Sequence, residues 1–139
     1  MLSAPLLASG CLSLNEATSS KPNHSSEPQV LATINQLDTY PIANKGNQAQ
    51  LIKEAYGFCQ IEFTGFYETG KIVENWAFKN NKLISASTTK FSYVQPLSAL
   101  NQQIAAVQST PFNINEVENI KNFEKLKANF SKRVLNQCI

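Results

Sequence analysis

The sequence predicts a small α+β domain over residues 47–139: a three-stranded antiparallel β-meander packed on one face by helices, in the order α-β-β-β-α-α. Three observations predict it. Aromatic residues crowd between Tyr56 and Tyr93, inside runs that alternate polar and apolar positions. Thr69-Gly70 and Asn80-Asn81 punctuate those runs as turns. Beyond Pro96, apolar residues recur every three or four positions, the spacing of an amphipathic helix. The 139 residues are 42% hydrophobic and 16% charged, enough for one modest core. The net charge of +2 gives no broad footprint for nucleic acid.

The N-terminal stretch Leu7-Ala8-Ser9-Gly10-Cys11 resembles the lipobox of bacterial lipoproteins, with Ala8 where leucine is usual. The resemblance implies that residues 1–10 are a signal peptide. It also implies that Cys11 becomes the first mature residue and carries the lipid. Leu12 behind it resembles the outer-membrane sorting pattern, so the protein is expected on the outer membrane, facing the periplasm or the cell surface. Residues 11–46 are rich in Ser, Asn, Pro, Thr and Gln, with Tyr40 as the only aromatic residue. Such a composition buries too little apolar surface to offset the entropy of ordering and reads as a disordered tether. A chain of that length spans roughly 30 Å. Within it, Val30 to Ile34 is apolar enough to add a strand. There is no run of 18 apolar residues, so attachment to a membrane is expected through the lipid.

In the folded part, Asn47 is a natural N-cap for a short helix to Tyr56, closed by Gly57 and striped by Leu51, Ile52 and Ala55. A first strand over 58–68 places Cys59, Ile61, Phe63 and Tyr67 on one face, with Gln60, Glu62 and Thr64 on the other. Gly70 then supplies a positive φ for the turn. A second strand over 71–79 groups Ile72, Trp76 and Phe78, and a third covers 82–93. The segment from Tyr67 to Val73 is echoed by Phe78 to Ile84, and the pair resembles the β-hairpin units of MORN-variant repeats.

After Pro96, Leu97, Leu100, Ile104 and Val107 predict a helix to Ser109, ended by Thr110-Pro111. A longer helix follows from Asn115 to Gln137. Its face carries Val117, Ile120, Phe123, Leu126, Phe130, Val134 and Cys138, with Glu116 and Glu118 near its start and Lys132 and Arg133 near its end.

The chain has three cysteines. Under the lipoprotein resemblance Cys11 is used by the lipid, which leaves Cys59 and Cys138 for a disulfide in an oxidising compartment. Both fall on predicted core faces. Two reduced, buried thiols are the other reading. No cysteine or histidine spacing suits a metal, and no cofactor motif appears. The only histidine, His24, and the only aspartate, Asp38, lie in the tether, so hydrolytic triads lack a base and no enzyme is expected. Lys71, Lys79, Lys82 and Lys90 suit solubilising positions on hairpins, and no nucleic-acid partner follows from them. These readings lead to a non-enzymatic envelope protein with an interaction or structural role. It would contact a protein partner through exposed members of the set Phe58, Phe66, Trp76 and Tyr93. The alternatives are a lipoprotein binding a lipid or peptidoglycan fragment beside Trp76, or an inhibitor or immunity-type protein.

Overall fold

A computed structural model describes residues 27–38, 43–95 and 103–138 of the chain. Its centre is one six-stranded antiparallel sheet whose spatial order follows the chain. The strands are β1 (Gln29–Asn35), β2 (Asn47–Lys53), β3 (Cys59–Tyr67), β4 (Gly70–Lys79), β5 (Lys82–Tyr93) and β6 (Ile104–Pro111). Two short helices follow, α1 (Val117–Lys127) and α2 (Lys132–Leu135), and a 3-10 turn ends at Cys138. The three-stranded meander in the order α-β-β-β-α-α is therefore overturned. The central three strands stand where the alternation placed them, and three more extend the sheet.

Each difference has a local cause. The segment Asn47–Lys53 is built from helix-tolerant residues, yet Asn47, Ala49 and Leu51 are buried while Gln48, Gln50 and Ile52 are half-buried. That period of two pairs with β1 on one side and β3 on the other, and the paired ladder overrides helix propensity. The apolar piece inside the predicted tether is β1, so the folded region reaches back at least to Gln29. Ile104 and Val107 have helical spacing, but the segment is a strand on β5 with all eight residues exposed. Leu97 and Leu100 of that predicted helix lie outside the described residues.

The long terminal helix is broken. Asn129 donates from its side chain to the carbonyls of Lys125 (2.9 Å) and Leu126 (3.3 Å), closing α1. Ser131 opens α2 by accepting the Val134 N–H at 3.3 Å. Phe123, Leu126, Phe130 and Cys138 of the predicted apolar face are buried, whereas Val117 and Ile120 are exposed.

One face of the sheet carries the core. Ala49, Leu51, Cys59, Ile61, Phe63, Trp76, Phe78 and Ala86 meet Phe123, Leu126, Phe130 and Cys138 there. The Trp76 ring stacks on Phe112 (5.1 Å between centroids) and Phe123 (6.3 Å), and its indole N–H donates to Glu74 at 3.2 Å. Asn47, the one buried polar residue among those described, accepts the Leu37 N–H at 2.6 Å and donates to the Leu37 carbonyl at 3.2 Å. It takes the place of a strand partner where β1 ends, instead of capping a helix.

The two turns differ from one another. Asn80 and Asn81 both have positive φ (50° and 61°), the geometry of a tight hairpin turn. Gly70 does not; it stands inside β4, and a Cβ there would run into the carbonyl oxygen of Phe91. Glycine is needed at 70 for close strand approach.

Candidate interaction surface

Side chains alternate across a sheet, so the register defines what the second face displays. Two of its rows run across all six strands: Thr33, Gln50, Glu62, Asn75, Ser87 and Pro111, and Asn35, Gln48, Thr64, Val73, Thr89 and Ser109. This face is polar but mostly uncharged. Its amides and hydroxyls bond to one another, through Gln48 to Asn35 (2.9 Å), Gln60 to Asn75 (2.7 Å) and Thr89 with Ser109 (2.7 Å). Where β4 and β5 meet the end of β6, an open hollow of about 520 Å³ is lined by Gln60, Asn75, Ala77, Ser85, Ser87 and Pro111.

A third row changes character. Phe66, Lys71, Phe91 and Val107 are successive register partners from β3 to β6. The Lys71 Nζ lies 5.0 Å from the centre of the Phe91 ring, a cation–π contact between the neighbouring strands β4 and β5. Tyr93, two residues beyond Phe91, extends the same corner and pairs with Ile104. Val107 and Ile104 are 58% and 53% exposed, so the corner runs onto an uncovered edge. The result is an aromatic and aliphatic patch on a polar face, the arrangement expected of a contact surface.

The predicted site residues separate in this geometry. Phe66 and Tyr93 come together at the aromatic corner, at the same end of the sheet. Phe58 lies just before β3 with Lys79 Nζ 5.1 Å from its ring. Trp76 is only 1% exposed and belongs to the core on the opposite face, so it offers no surface to a partner. A ligand pocket beside Trp76 is likewise filled, by Phe112 and Phe123. Cys59 and Cys138 form the disulfide, with Cα atoms 5.6 Å apart. Cys11 and His24 lie outside the described residues.

Sequence reasoning missed Phe91, Ile104 and Val107 as members of the surface. Phe91 was legible in the alternation Thr89, Phe91, Tyr93, whereas Ile104 and Val107 were hidden by their helical spacing. Tyr56 is a separate feature: it is 90% exposed and has a positive φ of 62°.

Among the described residues no three His, Cys, Asp or Glu side chains group as a metal site, and no helix is long and apolar enough to cross a membrane. Compared with known protein families, curated proteins and solved structures, the chain finds no match.

Proposed function

We propose that this chain is an exported, non-enzymatic interaction module of the cell envelope. It is held to the outer membrane by a lipid on Cys11 and presents the open sheet face to a protein partner. The observation that carries the reading is the division of the sheet. One face is sealed by a helical layer that the Cys59–Cys138 bridge locks in place, and the other ends in the corner of Phe66, Phe91, Tyr93 and Val107. A buried disulfide belongs to an oxidising compartment, which agrees with export and with the use of the third cysteine for a lipid.

The test is intact mass and fatty-acid labelling of the chain expressed from its gene in a bacterium. A lipid-sized mass increase, abolished by Cys11→Ser, supports the tether; an unmodified N-terminus retaining Met1 removes it. A photo-crosslinking residue at position 91 should then capture one defined envelope protein, while the same residue at exposed position 121 should not. Equal labelling from both positions argues against a contact surface at the corner.

The hollow favours a second reading, an uncharged glycan fragment held by amides and hydroxyls. Titration with a neutral peptidoglycan fragment should then shift the side-chain amide resonances of Gln60 and Asn75. Unmoved resonances at saturating fragment dispose of it.

A further inference from the structure

Strand β6 closes the sheet at one end, and its outer side has no partner strand among the described residues. All eight of its residues are exposed and none is charged. The orientation of its backbone follows from one contact: the Phe112 N–H donates to the Ala86 carbonyl at 2.8 Å, continuing the register in which Pro111 faces Ser87. In an antiparallel ladder, bonding direction alternates along the strand. The N–H and C=O groups of Ala106, Gln108 and Thr110 therefore face β5, and those of Val107 and Ser109 face outwards. Pro111 obeys the same rule, since its hydrogen-free nitrogen falls on the outer side.

Sheet edges are normally blunted by charge, by a bulge or by cover. The opposite edge, β1, has its irregularity between Val30 and Ala32, which leaves only Ala32 to Asn35 in unbroken register with β2. In β6 the irregularity falls at the start, next to Ile104, and leaves 106–111 in unbroken register with β5.

We propose that β6 pairs antiparallel with β6 of a second copy of this chain, joining two sheets into one about a two-fold axis. Such a contact is self-complementary by symmetry. Setting Val107 opposite Ser109 of the other copy lets each outward N–H meet an outward carbonyl, reciprocally on both sides of the axis. No charged side chain of β6 opposes the approach. The nearest lysine on the neighbouring strand, Lys90, pairs with Gln108. Three strand spacings, about 14 Å, would separate it from its counterpart, beyond the ~8 Å screening length in physiological salt. The row Phe66, Lys71, Phe91 and Val107 would meet Ser109 and Thr89 of the other copy, and the two Val107 side chains would lie diagonally across the seam on one face, so the two aromatic rows would adjoin, offset by two residues. An unrelated peptide strand would not bring a second such row to the seam. The contact is short and therefore weak in dilute solution. Anchoring both copies to one membrane, which rests on the tether reading, brings them to effective concentrations in the millimolar range. The pairing itself does not depend on the tether.

The test is sedimentation equilibrium of the full chain carrying Cys11→Ser, from about 10 µM to about 1 mM, the range of tethered effective concentrations. A reversible dimer is expected. Val107→Lys places a charge on the edge, and Ser109→Pro removes an outward donor without touching a β5 bond; each should weaken the dimer at least about tenfold. Retained disulfide and unchanged Trp76 emission establish that the variants fold. A monomer throughout, a dimer insensitive to both variants, or open-ended oligomers through β1 would overturn the proposal. Amide exchange in the Cys11→Ser chain without edge variants gives a reading independent of their folding. Protection at Val107 and Ser109 should rise with concentration, and concentration-independent exchange there counts against the pairing.

Discussion

Cys59 opens β3, an inner strand of the sheet, on its core face, and Cys138 lies 79 residues later in the last described turn, with 5.6 Å between their Cα atoms. The bond joins the middle of the sheet to the end of the helical layer, so the covering of the core cannot drift from the strands it covers. Both cysteines are buried, which shields the bond from reductant while the protein is folded.

Breaking this bond should therefore loosen the helices before the sheet. Closing a loop of this length is worth about 4–5 kcal/mol in the chain-entropy model. The paired variant Cys59→Ala with Cys138→Ala should lose about that much in urea unfolding. Amide exchange should accelerate first in α1 and α2. A variant with unchanged unfolding midpoint would show that packing alone holds the layer.

Asn47 should be as sensitive as an apolar core position. Its side chain satisfies both backbone groups of Leu37, and Leu37 is itself buried. Asn47→Ala strands a buried donor and acceptor, a loss of about 1–3 kcal/mol. Asn47→Asp keeps an acceptor for the Leu37 N–H but sets a buried carboxylate oxygen against the Leu37 carbonyl, and should cost at least as much as Asn47→Ala. Thermal unfolding of both variants checks the order.

How far the sequence could be read depended on whether neighbouring signals agreed. Residues 59–93 carried alternation, aromatic residues and turn chemistry together, and the strands there stand as expected. Asn47–Lys53 carried alternation against helix-favouring Gln, Ala and Leu, and only pairing with β1 and β3 decides such a conflict. In Ile104–Pro111, neither face is covered, so burial left no pattern to read. The disulfide was legible because Cys59 and Cys138 each fell on an apolar face. The contact corner was only half legible. Phe66 and Tyr93 are half-buried on the open face, whereas Trp76 carries the same composition signal and is core, and one sequence gives no way to tell them apart before the helices are placed.

Phe123 tests whether α1 is structural cover or decoration. Its ring meets both Trp76 and Phe78, at centroid distances of 6.3 and 5.4 Å. Phe123→Ala should cost about 3–5 kcal/mol through lost burial and the cavity left behind. It should also move Trp76 emission to longer wavelength as water reaches the indole. Val117→Ala, on the exposed side of the same helix, should change stability by less than about 0.5 kcal/mol. Fluorescence-monitored urea unfolding of the two variants distinguishes a buried seam from a helix that merely rests on the sheet.

Gly70 links the turn to the contact corner. A side chain at this position would press on the Phe91 carbonyl, and the Tyr93 N–H donates to the neighbouring Thr69 carbonyl at 2.9 Å. Both contacts lie where β4 meets β5, beside the row that carries Lys71 and Phe91. Gly70→Ala must push the strands apart at that point, an overpacking cost of about 1–3 kcal/mol. The core at Trp76 lies six residues along β4 and should be untouched. The expected signature is therefore local: amide exchange at Tyr93 speeds up and Phe91 loses its contact with Lys71, while Trp76 emission stays fixed. A uniform loss across all six strands would mean instead that this corner is part of the cooperative core, and that changes to it cannot be used to probe binding apart from folding.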